Sequence, residues 1–411
     1  MSFYDALEAR DPGERERDLL ARLPAQIAHA QSKSAFYRKR LEGVDAAGID
    51  SRAALARLPV TRKSELTDLQ KAARPFGGLA ATPAAGLARI FMSPGPIYDP
   101  EGRRPDYWRA ARTLFAAGFR AGDIVLNCFS YHFTPAGSIF ETGLHHLGCA
   151  VIPGGVGQTE LQARAIADLE PSGYVGTPSF LKLILEKSDE LKLPHASLRR
   201  ALLSGEAFMP AVRSFLEERG IAAYQAYGSA DLGMVAYETE ARAGLVLNED
   251  VIVEIVRPGT GDPLPNGEVG EVVVTPFNPD YPLLRFATGD LSAVLPGVSP
   301  CGRTNTRIRG WMGRADQATK VRGMFVHPQQ VAEVLRRHGL ARGRLVVANE
   351  DGEDRMTLRV ERDGLADASA ANVIEATLRE LVQVRGEVRF VSPGSLPNDG
   401  KVIEDSRNYK P

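Results

Sequence analysis

The sequence has almost no cysteine: Cys128, Cys149 and Cys301 are the three in 411 residues, with no C-x-x-C spacing among them. That excludes a disulfide framework, and Cys128 and Cys149, set in apolar strand-like runs, read as buried structural thiols. No second cysteine lies near Cys301, whose nearest polar neighbour upstream is Ser299, so no zinc site is expected. An excess of charge of one sign is also missing. Fifty Lys and Arg stand against 51 Asp and Glu, which removes the basic field that would draw nucleic acid or anionic lipid. No uninterrupted apolar run reaches the roughly 18 residues of a membrane span. The opening stretch MSFYDALEARDPGERERDLL is charged and amphipathic, unlike a signal peptide, so the chain reads as cytoplasmic with no membrane partner. A G-x-S-x-G elbow is absent, as is a pair of catalytic histidines, which argues against a hydrolase.

What is present is an ordinary globular composition, 44% apolar, in a chain too long for one core. Residues 1–75 carry apolar positions at helical spacing with proline breaks. From about residue 120, short β-rich runs alternate with helical ones: DIVLNCF, GSIFETGLHHLG, CAVIPGG, LQARAIADLE, GYVGTPS, SFLKLILEKSDEL and RRALLSGE. The alternation predicts an α/β fold with a doubly wound, mostly parallel sheet, whose ligands gather at the carboxyl ends of its strands. Residues 245–310 change to strands separated by Gly, Pro and Asn, the pattern of an antiparallel β subdomain. After Gly313 two helices, PQQVAEVLRRHG and SAANVIEATLRELVQV, alternate with GRLVVANE, RMTLRVER and EVRFVS, a small α+β domain.

Several strand ends carry chemistry. In T-G-D at 288–290, a carboxylate on a glycine turn can accept two hydrogen bonds from neighbouring hydroxyls, the geometry of a ribose. Arg314 offers a guanidinium that forks onto ribose or phosphate oxygens. In LLSGEAF at 202–208, Gly205 and Glu206 end an apolar strand where backbone can approach a flat ligand. In AYGSADLG at 226–233, Tyr227 can stack on a purine while Asp231 faces phosphates. Tyr131 and Phe133 in NCFSYHFTPAGSIF lie beyond a strand and can wall an aryl acid, and His132 beside them reads as structural. The loops GVGQTE at 155–160 and GTPS at 176–179 border the same edge. Lys401 projects from the turn P-N-D-G in SLPNDGKVIED. Taken singly, each of these is more often a plain turn, a core aromatic or a solvated charge.

The run CGRTNTRIRGWMGRADQATKVRG, 301–323, follows RFATGDL at 285–291 and leads into the C-terminal module. That order resembles the adenylate-forming superfamily of acyl-CoA synthetases, peptide-synthetase adenylation domains and luciferases. The wording CGRT followed by GR-x-D is most similar to the phenylacetate-CoA ligase family. The likeness spans roughly residues 50–405 and is strongest from 285 to 323. It implies a large N-terminal domain, 1–315, with a β subdomain at 245–310, and a mobile C-terminal domain, 316–411. It assigns Gly205, Glu206, Ala207, Tyr227, Gly228, Ser229, Asp290, Ile308 and Arg314 to the nucleotide. Asp231 stands where the family has a magnesium ligand, usually Glu after Ser or Thr, and here the pair is Ala230-Asp231. Lys401 takes the catalytic lysine's role, offsetting charge on the acyl carboxylate and α-phosphate. Asp316 corresponds to the hinge, and Arg322 and Gly323 to the CoA channel. The implied cofactors and substrates are ATP, Mg, CoA and a small carboxylic acid; a homodimer is among the assemblies left open.

One departure is marked. Where the family has a Ser/Thr/Gly-rich phosphate loop ending in lysine, RIFMSPGPIYDPEGRRPDYW (89–108) keeps Ser93 and Gly95 but inserts Pro94, Pro96 and Pro100. Each proline removes an amide donor, and Asp99 and Glu101 are expected to repel a triphosphate, with Arg103 and Arg104 as compensation. Two readings follow: an ATP-dependent carboxylate-CoA ligase for an aromatic or related small acid, or a degenerate homologue that binds AMP or acyl-CoA and adenylates poorly.

Overall fold

Successive residues of Ile124–Asn127, Gly173–Gly176 and Arg200–Leu203 point to opposite faces of a sheet, and in these strands both faces are apolar. Val125, Val175 and Leu202 pack into one core with Trp108, Leu114, Phe119 and Phe140. Leu126, Tyr174, Ala201 and Leu203 pack into another with Ile166, Leu181, Ile184 and Leu216. Truncating a fully buried leucine such as Leu202 to alanine costs about 2–5 kcal/mol. The crossovers are the helices Ala136–Leu147, Thr159–Leu169, Pro178–Glu190 and Pro210–Glu217. This is the doubly wound arrangement that the alternating segments predict.

The computed structural model describes residues 2–93, 96–315, 319–322, 324–350, 353–363 and 368–407. Five strands run parallel in the order Ala150–Ile152, Ile124–Asn127, Gly173–Gly176, Arg200–Leu203, Ala222–Ser229. Beyond them Gly233–Glu238, Leu245–Leu247 and Arg307–Ile308 continue antiparallel, and Val294–Leu295 brings the sheet to nine strands. Residues 245–310 are therefore divided between sheets and do not build one subdomain. Val251–Val256, Gly270–Pro276 and Phe286–Ser292 lie with Thr61–Arg62 in a separate four-stranded sheet. Leu245–Leu247 is a short buried strand that pairs with Gly233–Glu238, whereas the longer Val-rich strands Val251–Val256 and Gly270–Pro276 belong to the second sheet.

The chain separates into two compact units, 1–253 with 274–286 and 295–310, and 254–273 with 287–294 and 311–411. In the first, the N-terminal helix Pro12–Lys33 opens on Asp11, whose side chain accepts from the Glu14 amide, with Pro12 at the first helical position. In the second, Glu387–Val391, Glu353–Glu361, Gly343–Glu350 and Ile403–Asp405 form a four-stranded sheet in that order. The helices Pro328–Arg337 and Ala368–Val382 close its core through Val331, Leu335, Ile374 and Leu378. All three cysteines are buried. Among the described residues no helix is long and apolar enough to cross a membrane.

Candidate active site

Two adjacent parallel strands, Arg200–Leu203 and Ala222–Ser229, end in backbone with little side chain. Gly205 sits at φ +86°, a conformation that favours glycine. The Ser204 hydroxyl donates to Ala226 O at 2.8 Å, tying the two strand ends together. Gly205, Glu206 and Ala207 are exposed there. The Glu206 carboxylate accepts the Ser179 amide at 2.6 Å, capping the helix Pro178–Glu190. On the neighbouring strand Tyr227 is buried, and a bulge falls between Tyr227 and Gly228. A Cβ on Gly228 would lie 2.5 Å from both Gly233 O and Met234 Cε. The Ser229 hydroxyl accepts from Leu232 N at 3.3 Å. Ile308, also assigned to the nucleotide, is fully buried and pairs with Leu245, so its side chain faces the sheet interior.

Asp231 is committed to a partner. Its side chain is 0% exposed, and Oδ2 accepts from Lys63 Nζ at 2.6 Å and from the Ser229 hydroxyl at 3.3 Å. Oδ1 is buried with no hydrogen-bond partner among the described residues. Magnesium demands near-octahedral oxygen coordination at about 2.0–2.1 Å and keeps several waters. A divalent ion ~4 Å from the Lys63 ammonium would be opposed by about 8 kcal/mol at an effective dielectric constant of ~20. The residues present do not fit magnesium at Asp231.

The altered phosphate loop is a β-hairpin, Arg89–Ser93 against Ile97–Glu101, with Ser93 opposite Ile97 and Phe91 opposite Asp99. The Ser93 hydroxyl donates to Ile97 O at 3.4 Å; Gly95 lies outside the described residues. Gln70 brackets Tyr98, accepting its amide at 2.7 Å and donating to its carbonyl at 2.9 Å. The Met92 amide donates to Phe133 O at 2.9 Å, joining the hairpin to the aromatic loop. The acidic side chains of this segment face inward, contrary to the expectation that they repel phosphate from the surface. Asp99 is 0% exposed and neither of its oxygens has a partner among the described residues. Burial pushes its carboxyl well above the usual range, and the neighbouring Asp231 charge adds to the rise. Glu101 accepts from Arg89 at 2.9 Å and from the Ser138 hydroxyl at 3.1 Å. Arg103 donates to Gly86 O and Arg104 lies over the Tyr107 ring, so neither is spent on Asp99 or Glu101. The Tyr281 hydroxyl, buried and without a hydrogen-bond partner among the described residues, is raised by burial and then by Asp231 and Asp99.

In the aromatic loop, Tyr131 accepts a hydrogen bond from Asn127 Nδ2 at 2.8 Å, and Phe133 adopts φ +62° with its ring largely exposed. His132 stacks edge-on to Phe133.

Within the second unit, Asp290 lies inside the strand Phe286–Ser292 and not on a free turn. Its backbone bridges to Arg314, fixed by Ala315 N to Gly289 O at 2.7 Å and Leu291 N to Gly313 O at 2.9 Å. Oδ1 of Asp290 accepts from Arg314 at 3.0 Å and from Trp311 Nε1 at 3.1 Å. The guanidinium expected to face the nucleotide thus grips the ribose-binding candidate itself. Lys401 is exposed beside a cavity of about 480 Å³ lined by Arg257, Arg336, Arg342 and Arg344. Its turn is held by Gly400, at φ +70°, and by Asn398, which accepts the Val269 amide. Arg322 donates to Asp354 O at 3.1 Å and borders a cleft of about 670 Å³ with Arg355, Arg379 and Arg385. Asp316 and Gly323 lie outside the described residues.

Sequence reasoning missed Lys63, Asp99 and Tyr281 as members of one buried cluster. Lys63 stands in TRKSELTD, which carries no motif, and its partner is 168 positions away.

Residues 107–276 match the family described as AMP-binding enzyme, and residues 323–406 match the AMP-binding enzyme C-terminal domain. The phenylacetate-coenzyme A ligase of Aromatoleum evansii is 34% identical over 404 residues, covering 92% of this chain and 90% of that protein. The enzyme of the same name from Escherichia coli (strain K12) is 30% identical, with 98% of each chain covered. Among solved structures, an open 2-hydroxyisobutyryl-CoA ligase in complex with 2-HIB-AMP and CoA superimposes with a TM-score of 0.72 at 25% identity, covering 97% of this chain and 93% of that one.

Proposed function

The chain belongs to the phenylacetate-coenzyme A ligase family of AMP-binding enzymes, and on that premise we propose that it activates an aromatic or related small acid and transfers it to CoA. It is an AMP-forming acid-thiol ligase, a class that uses ATP and CoA. In the proposed sequence a substrate carboxylate oxygen attacks the α-phosphorus of ATP and pyrophosphate leaves. The thiol of CoA, losing its proton, then attacks the acyl carbon and AMP leaves. The names of the relatives support an aryl acid, and the 2-hydroxyisobutyryl ligase widens the range to small branched acids.

The observation that carries this reading is the pair of tied strand ends at Gly205–Ala207 and Tyr227–Ser229. There Gly205, at φ +86° and crowded by no atom closer than 3.6 Å to a Cβ, leaves backbone open to a flat base at the carboxyl edge of the parallel sheet, while Gly228 lets Gly233 and Met234 of the next strand pack against it. The proposed roles are Asp290 and Arg314 for the ribose and α-phosphate, and Lys401 for the charge that grows on the reacting oxygens. Tyr131 and Phe133 wall the acid, and Arg322 with Gly323 borders the thiol channel. The boundary at 315/316 is proposed as the pivot between the two half-reactions, with Asp316 absorbing the rotation.

The hairpin Arg89–Ser93/Ile97–Glu101 favours a second reading: its amides are spent on strand pairing or, at Met92 and Tyr98, on Phe133 O and Gln70, and its Ser93 hydroxyl on Ile97, so the β- and γ-phosphates gain few donors. On that reading the protein holds AMP or acyl-adenylate better than ATP and adenylates slowly. Calorimetric titration with AMP and ATP, beside acid-dependent pyrophosphate exchange, separates the two. Fast exchange with tight ATP binding supports the efficient ligase; AMP binding with no exchange supports the degenerate one.

A further inference from the structure

We infer that Lys63 takes the place of a divalent cation at Asp231, so that a side-chain ammonium supplies the positive charge at this point of the nucleotide site. The inference rests on the adenylate-binding reading above.

Three observations converge on it. The Lys63 Nζ lies 2.6 Å from Asp231 Oδ2, and while the aspartate side chain is 0% exposed the lysine side chain is 26% exposed. The ammonium therefore closes over the carboxylate from the solvent side, on the path an incoming cation would take. Lys63 is also held by the scaffold. It begins the single turn Lys63–Glu65 directly after the strand Thr61–Arg62, in which the Thr61 amide donates to Arg285 O at 3.1 Å and the Thr61 hydroxyl meets Tyr37 Oη at 3.2 Å. A cation fixed in this way needs no coordination shell of waters. Finally, the other oxygen-bearing groups of the cluster do not add up to a metal cage. Asp99 and the Tyr281 hydroxyl are both sealed from solvent, and among the described residues no group of three or more His, Cys, Asp or Glu side chains could hold a metal ion.

A lysine carries one charge where a magnesium ion carries two, and it binds through three directed N–H donors. It suits a site that neutralises a single phosphate group, as in AMP or an acyl-adenylate, better than one that bridges the phosphates of ATP. The same cluster lies under the hairpin that replaces the phosphate loop, so the loss of phosphate donors and the replacement of the metal fall in one place.

The test is a manganese titration of the full chain followed by the electron paramagnetic resonance signal of free Mn²⁺, with and without AMP. It is run beside calorimetric AMP binding in EDTA and in millimolar magnesium. The expected result is no stoichiometric Mn²⁺ binding to the native protein, and AMP affinities that agree within about twofold in the two buffers. Lys63→Met, similar in length and uncharged, should weaken AMP roughly tenfold in EDTA, and an unchanged AMP affinity in a folded variant would overturn the inference. One Mn²⁺ bound per native chain and lost in Asp231→Asn would overturn the inference; loss in Asp99→Asn as well would assign the ion to the carboxylate pair. If Lys63→Met fails to fold, the native titration still decides. If the native protein binds no AMP in either buffer, the adenylate reading fails, while the manganese result continues to judge Lys63 alone.

Discussion

Replacing Asp99 by asparagine changes one buried carboxyl group to an amide of the same shape, and the effect should be read as a function of pH. Asp99 is fully buried, its two oxygens have no hydrogen-bond partner among the described residues, and burial together with the Asp231 charge raises its pKa. A carboxyl whose folded value lies above the unfolded value of about 3.9 keeps a proton that the unfolded chain releases. Its contribution is therefore fully present below about pH 4 and declines as pH rises toward the folded value, by ~1.4 kcal/mol per pH unit. Asparagine does not titrate. The amide brings its own unsatisfied donors, a pH-independent cost of about 1–3 kcal/mol, so the slope is diagnostic and the offset is not. Urea unfolding of both proteins from about pH 4 upward should show the stability of Asp99→Asn gaining on the native protein as pH rises, by up to ~1.4 kcal/mol per pH unit, until the folded value is passed. Parallel stability curves over that range would mean that Asp99 is ionised in the fold, and the description of the cluster would be wrong.

Three further outcomes are expected. Lys401→Ala should slow adenylate formation by on the order of 10²–10³ while thioester synthesis from supplied acyl-adenylate survives; a native rate of adenylation in this variant would remove Lys401 from the chemistry. Gly228→Ala places a Cβ 2.5 Å from Gly233 O, so it should cost about 1–3 kcal/mol in thermal unfolding and weaken AMP, and an unchanged AMP affinity would move the base elsewhere. Exchanging residues 93–101 for a Ser/Thr/Gly-rich loop ending in lysine should raise acid-dependent pyrophosphate exchange, because it adds donors for the leaving group; an unchanged exchange rate would show that the hairpin is not what limits ATP use.

The parallel core was legible because runs such as RRALLSGE alternate between two apolar faces and end on glycine, which leaves no other sheet for them to build. The helix and strand order after residue 327 could be read for the same reason, since Val331, Leu335, Ile374 and Leu378 keep helical spacing. The fate of 245–310 was not, because a three-residue strand such as Leu245–Leu247 carries no signal of which sheet receives it. Asp99 was misread for a physical reason. In Ile97–Glu101 the inward positions are Ile97, Asp99 and Glu101, so acids occupy the face where the pattern puts apolar groups. The Lys63 and Asp231 pair joins residues far apart in sequence, and no local spacing encodes it.

The central claim, an AMP-forming acid-thiol ligase acting on an aryl or small branched acid, is tested most directly by one measurement. The purified chain is given ATP and CoA with a panel of aryl and short-chain acids, and AMP and acyl-CoA are quantified together by liquid chromatography and mass spectrometry. The account predicts that at least one acid yields AMP and its CoA thioester in equal amounts, and that both disappear when the acid or ATP is withheld. ADP in place of AMP, or no acid-dependent AMP and no thioester with any acid of the panel, would contradict it.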